Sequence, residues 1–251
     1  MQIHPDFSFT AGELSPLLAA LPEDIQARVK TRPQYFLELV KDVLEAPPVC
    51  TLLVDKTHAL PETYAPAETV RLKDYGLSAA RADLAVSRVI MPGVLAMNEA
   101  ALMDGVTLVF SSAYRSYAVQ KDVFAYNVRE LGEEQAKRES AEPGKSQHQL
   151  GTTIDFGSIT DDFAFTTAGR WLKEHAWEYG FSLSYPDGYE ELTGYRHESW
   201  HYRYLGRPAT LLEREFFGGI QQYMLTFLHE QGAALMTGLT SASQADADDG
   251  T

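Results

Sequence analysis

Two histidines and one aspartate set the tightest limit on how this chain folds. His148 stands in Ser146-Gln-His-Gln-Leu-Gly151, Asp155 follows seven residues later, and His201 stands in Glu198-Ser-Trp-His201. Imidazole nitrogen and carboxylate oxygen both suit a zinc ion, at about 2.0–2.2 Å. If all three hold one ion, segments 53 positions apart must converge on it. Three protein ligands with a fourth position open is the catalytic zinc pattern, not the structural one.

The local sequence shows how convergence could arise. A polar turn at His148, with Gly151 at its end, runs into a strand over 151–156 that carries Asp155. A second strand over 199–204 carries His201. This is not the helical His-Glu-x-x-His arrangement, which puts both histidines on one helical face. Glu198 is placed to take a proton from the attacking water. In a straight strand, however, Glu198 and His201 point to opposite faces, because their separation is odd. The reading therefore requires a turn between them, with regular strand starting near His201.

Composition narrows the partners. The chain has 251 residues and a formal net charge of -14, with Asp+Glu 35 against Lys+Arg 21. Such a surface repels phosphate backbones, which argues against nucleic acid as a partner, and it also disfavours anionic lipid. The single cysteine, Cys50, cannot form an internal disulfide and sits in an apolar run as a buried thiol. No transmembrane segment is expected, since no apolar stretch approaches the ~20 residues a span requires.

Periodicity predicts a mixture of helices and short strands, with an N-terminal helical extension packed on the main domain. Residues 1–48 read as that extension, with Ile25, Val29, Phe36, Leu37, Leu39, Val40 and Leu44 at near-helical spacing. Residues 49–236 read as the catalytic domain with a C-terminal helix, and 237–251 as a disordered tail low in hydrophobic residues. Strands are expected at 51–55, 106–110, 151–156, 181–185 and 199–204. Helices are expected at 87–104, from Ser116 to about 132, after Thr167, and over 208–236. Residues 133–147 read as a charged helix end and loop leading into His148.

Hydrolysis of an amide also needs a cation for the developing oxyanion. Arg115 is the best candidate, because it follows a predicted strand in the small-residue turn Ser111-Ser-Ala-Tyr-Arg115-Ser. His4, His58, His175, His197 and His229 stand in no comparable context.

Three stretches together resemble the VanY-type D-alanyl-D-alanine carboxypeptidases. They are Ser111-Ser-Ala-Tyr-Arg-Ser-Tyr-Ala-Val-Gln120, Ser146-Gln-His-Gln-Leu-Gly-Thr-Thr-Ile-Asp155 and Glu198-Ser-Trp-His-Tyr-Arg203. That family lies within the zinc peptidases that include lysostaphin-like enzymes and the Hedgehog signalling domain. The resemblance covers about residues 51–206 and implies an α+β fold: a central antiparallel sheet flanked by helices, with the metal site on the sheet. It implies zinc ligands at His148, Asp155 and His201, a catalytic base at Glu198, and an arginine at Arg115 that contacts substrate and transition state. It further implies that Gln120 and Ser146 line the substrate pocket. Ser199 stands where the family often has proline, a mild departure that leaves the metal set intact. The implied substrate is a peptidoglycan stem peptide ending in D-alanine, cut with D,D- or L,D-specificity. A second reading is a zinc-bearing domain that binds peptidoglycan or a protein without cutting it. A cell-wall substrate implies a periplasmic or extracytoplasmic location, with a leader trimmed from this chain because none is visible at its start. A cytoplasmic role in recycling wall peptides is the alternative.

Overall fold

The register of one small sheet brings the polar residues together. The structure, a computed structural model, describes residues 2–239. In chain order, a hairpin of β1 (Gln2–His4) and β2 (Phe7–Thr10) leads into helices α1 (Ala11–Leu17), α2 (Glu23–Thr31) and α3 (Pro33–Glu45). A second hairpin joins β3 (Thr69–Arg71) to β4 (Ala85–Ser87) and precedes helix α4 (Met91–Met103). Next come β5 (Phe110–Ser112), α5 (Tyr117–Leu131), α6 (Glu133–Glu139) and β6 (Thr153–Phe156). Then follow α7 (Thr167–His175), β7 (Phe181–Leu183), the one-turn α8 (Glu190–Thr193) and β8 (His201–Tyr204). Helices α9 (Arg207–Phe216) and α10 (Gln221–Gly238) close the described chain.

The central sheet runs in the order β5-β6-β8-β7, and every neighbouring pair is antiparallel. Asp155 pairs with His201 on one side and with Ser112 on the other. Side chains alternate between sheet faces, so these three share a face. Ile154 and Tyr202, paired one step along, belong to the opposite face. They join Phe110, Phe156 and Phe181 in a core closed by Val94, Met97 and Ala101 of α4 and by Trp171 and Leu172 of α7. Burying each large apolar side chain there stabilises the fold by roughly 1.5–3 kcal/mol. Pro92 lies in the first turn of α4, where a missing N–H is harmless.

A second core joins the two ends of the chain. Phe36 of α3 packs against Phe216, Phe217 and Phe227, with ring centroids 5.2, 6.4 and 5.8 Å away. Leu14, Ile25, Val29, Leu212, Met224 and Leu225 complete it, and Phe7 bridges to Leu239. The C-terminal helices thus pack with the first 48 residues, and they also touch the sheet edge at Ser182 through Glu213 and Gln221.

Several local expectations are corrected. The N-terminal segment is not wholly helical, since residues 2–10 form a hairpin whose turn is closed by the Asp6 N–H donating to His4 Nδ1 at 3.1 Å. The strand expected at 51–55 does not form; a short turn at Pro48–Cys50 runs into irregular chain. The backbone carbonyls there face the fully buried Arg203, whose Nη2 donates to Cys50 O at 3.2 Å and Leu52 O at 2.7 Å. The strand expected at 106–110 is shifted to Phe110–Ser112, and residues 133–139 are helix α6 rather than loop. Thr166, not Thr167, caps α7, accepting from Gly169 N at 3.0 Å. The helix expected over 208–236 is two helices, split at Gly218 and Gly219, which both have positive φ. Thr237 and Gly238 end α10, while residues 240–251 of the expected tail lie outside the described residues.

One buried acid makes the fold pH-sensitive. Glu213 on α9 is buried, accepts from Ser182 Oγ at 2.8 Å, and its other oxygen has no partner. Burial pushes its carboxyl up from 4.5 to about 8. Between these two values the folded state keeps a proton that the unfolded chain releases. Stability therefore falls as pH rises from about 4.5 and is fully reduced above about 8. Glu213→Gln should flatten that slope and raise stability at pH 8 by about 2–4 kcal/mol. Urea unfolding of both proteins at pH 5 and pH 8 checks this; equal slopes would remove Glu213 as the cause.

Candidate active site and metal centre

His148 sits on a tight turn over Gln147–Leu150, and Ser146 caps it by accepting from His148 N at 3.3 Å. Gly151 ends the turn at φ +72°, and a Cβ there would lie 2.7 Å from Pro66 and 3.2 Å from the Ser87 backbone. Only glycine fits both the conformation and the space. The chain then enters β6, which carries Asp155 opposite His201.

The three side chains converge. His148 Nε2 lies 3.1 Å from Asp155 Oδ2, and His201 Nδ1 lies 3.2 Å from Asp155 Oδ1. One ligand atom from each of the three falls within 4.8 Å of the others, and all three residues are buried. The outer ring nitrogens are also held. His148 Nδ1 donates to Ala113 O at 2.8 Å, and His201 Nε2 donates to Gln147 Oε1 at 3.2 Å. These partners leave His148 Nε2 and His201 Nδ1 facing inward with their lone pairs, the arrangement in which imidazole binds a metal. Gln147 is itself oriented by Ser184 Oγ, which donates to the same Oε1 at 2.7 Å.

The donor set fits a divalent cation. Asp155 Oδ1 is buried and makes no hydrogen bond, although it lies close to His201. Burial disfavours charge on His201, yet the nearby carboxylates of Asp155 and Glu198 prevail and raise it to about 9, a proton that a cation bound between them would displace. Burial, helped by the Arg115 charge, pulls His148 down despite Asp155. Burial opposes the charge on Asp155, but the two histidines hold it well below the usual carboxylate range. Two carboxylates thus face two imidazoles in a buried setting that favours positive charge between them.

Glu198 meets the requirement set by the sequence. His201 N donates to Glu198 O at 3.3 Å, closing a turn over Glu198-Ser-Trp-His201, and regular strand starts at His201. The turn brings Glu198 Oε2 to 3.2 Å from His201 Nδ1. Arg115 enters from the loop after β5. Its Nη1 donates to Gln120 Oε1 at 2.9 Å, its Nη2 to Ser112 Oγ at 3.1 Å, and its backbone N–H to His148 O at 3.1 Å. Arg115, His148, Asp155, Glu198 and His201 line one cleft of about 130 Å³, together with Tyr185, Tyr195 and Trp200.

Two expected pocket residues stand elsewhere. Gln120 is fully buried and holds Arg115 from behind, with its own Nε2 donating to Ala141 O at 2.6 Å. Ser146 is the cap beneath His148. Neither lines the cleft. Sequence reading missed Gln147, whose only signal was its place beside His148, and it missed Tyr185 and Tyr195, whose neighbours gave none.

Residues 84–207 match the VanY family, described as D-alanyl-D-alanine carboxypeptidase. YodJ of Bacillus subtilis (strain 168), a protein assigned as a carboxypeptidase, is 33% identical over 187 residues, covering 70% of this chain and 68% of YodJ. The chain belongs to the VanY family. Among solved structures, the LdcB LD-carboxypeptidase has a TM-score of 0.64 and 30% identity, covering 69% of this chain and 84% of LdcB. A VanY D,D-pentapeptidase variant in complex with Zn(II) has a TM-score of 0.60 and 28% identity, covering 70% of this chain and 99% of that one. This VanY-family chain is accordingly a zinc metallopeptidase, a D-alanyl-D-alanine or L,D-carboxypeptidase. Its α+β fold with antiparallel sheets agrees with that of these neighbours. Among the described residues, no helix is long and apolar enough to cross a membrane.

Proposed function

We propose that this chain removes the C-terminal D-alanine from peptidoglycan stem peptides. His148, Asp155 and His201 hold the zinc ion, Glu198 serves as general base, and Arg115 contacts the substrate. The observation that carries this reading is the placement of Glu198 beside His201 Nδ1, in the same cleft as Arg115. When bound, zinc supplies Lewis acidity to that cleft. Glu198 takes the proton of the attacking water and returns it to the leaving amine of D-alanine. The Arg115 guanidinium, fixed by Gln120 and Ser112, meets charge that develops on the scissile carbonyl oxygen. Tyr185, Tyr195 and Trp200 give the bound peptide end an aromatic wall. A wall substrate places this work in the cell envelope, consistent with relatives named D-alanyl-D-alanine carboxypeptidase in Enterococcus faecium and Enterococcus faecalis.

The test is mass spectrometry of stem pentapeptide and stem tetrapeptide after incubation with zinc-loaded protein. The pentapeptide reports D,D-cleavage, as VanY's description implies, and the tetrapeptide reports L,D-cleavage, as LdcB's does. Loss of one alanine from either supports the reading and names the specificity. Both peptides left intact by protein that retains its zinc would sink it.

A further inference from the structure

Three separate segments contribute to the walls of the cleft, and one residue touches all of them. Arg196 lies between Tyr195 and the turn that carries Glu198. Its Nη1 donates to Asp161 Oδ1 at 2.7 Å, on the segment after β6 that also places Ile159 at the cleft. Its Nε lies 4.0 Å from Glu139 Oε1 at the end of α6, and its backbone N–H donates to Arg138 O at 3.2 Å. Its guanidinium lies over the Trp200 ring, 5.5 Å from the centroid. Glu139, Ile159 and Trp200 all line the cleft.

Helix α6 is anchored at its own end by buried Ala136 and by Gln120, whose Nε2 donates to Ala141 O at 2.6 Å. It follows α5, whose only buried residue is Gln120. Arg138 pairs with Glu190 through contacts of 2.5 and 2.9 Å, and Lys56 donates to Lys137 O, but both partners lie away from the 159–161 wall. Among the described residues, the Arg196 side chain reaches Glu139 of α6, Asp161 and Trp200 at once. A planar guanidinium serves this because it offers donors in two directions while its face stacks on an aromatic ring. Lysine, a single point charge, meets one carboxylate at a time.

We propose that Arg196 is a positioning residue that sets the width of the substrate cleft by clamping α6 and the 159–161 segment against Trp200. The proposal rests on the carboxypeptidase reading for its kinetic consequence, though not for its structural one. Loosening the walls weakens the grip on the peptide before it disturbs proton transfer, so the effect belongs in KM more than in kcat.

The experiment compares wild type, Arg196→Ala and Arg196→Lys as zinc-loaded full chains. For Arg196→Ala, KM for the stem peptide that wild type cleaves should rise about tenfold, with kcat within about threefold. Arg196→Lys should recover part of that rise. Hydrogen exchange, which needs no activity, should show residues 133–141 and 158–163 losing protection together in Arg196→Ala. A KM within twofold of wild type, or exchange that rises in one segment alone, overturns the proposal. If wild type cleaves neither peptide, the carboxypeptidase reading fails, and the exchange result decides the clamp by itself.

Discussion

Glu198→Gln is expected to lower kcat for release of D-alanine by about 10²–10⁴-fold, the usual contribution of a positioned general base. Zinc content should stay at the wild-type level, because His148, Asp155 and His201 converge as the proposed ligand set without it. The substitution keeps the shape of the side chain and its contact with His201 but removes the group that accepts the proton. Progress curves on the cleaved stem peptide, paired with metal analysis of the same sample, measure both effects. Wild-type turnover in the variant would place the base elsewhere. Loss of zinc would make Glu198 a ligand instead. A wild-type protein that binds stem peptide yet never shortens it would favour the binding-domain reading.

Arg115→Ala comes next in size, with kcat expected to fall by about 10²–10³-fold, as when an oxyanion partner is removed. Arg115 is fixed from two sides, by Gln120 Oε1 and Ser112 Oγ, so its charge needs no reordering when the carbonyl oxygen becomes negative. Arg115→Lys should not restore the rate, since lysine cannot reproduce both contacts from one planar group. If Arg115→Ala raised KM and left kcat unchanged, Arg115 would bind substrate without favouring the transition state. Steady-state kinetics at saturating zinc separates these outcomes.

The metal triad was legible because its residue types and their place near strand starts leave few arrangements. The odd separation of Glu198 and His201 forced a turn, and the turn is present. What sequence could not give was register. Nothing in 106–112 says that pairing begins at Phe110, because Val106, Leu108 and Phe110 are equally apolar and only contact with Phe156 decides. The run 51–55 looked like a strand by composition, yet its carbonyls face a buried guanidinium 150 residues later in the chain. Gln120 and Ser146 show the same limit. Their proximity to the site was readable, but whether a side chain enters the cleft or supports it from behind depends on backbone direction. The partnership of the two chain ends was invisible for another reason. Periodicity reports which face of a helix is apolar and not which helix covers it.

That joining of the ends has a consequence for heat. Gln147, which holds His201, contacts Gln221 at the start of α10, and Arg203 on the histidine's own strand grips the segment that leaves α3. The terminal helices and the central sheet are therefore mechanically linked at two points, both close to His201. Fraying of α10 or α3 would release His201 before the sheet itself came apart. Calorimetry of this chain should accordingly show a single endotherm, with activity vanishing at its onset and no cooler stage in which the ends melt while the centre still works.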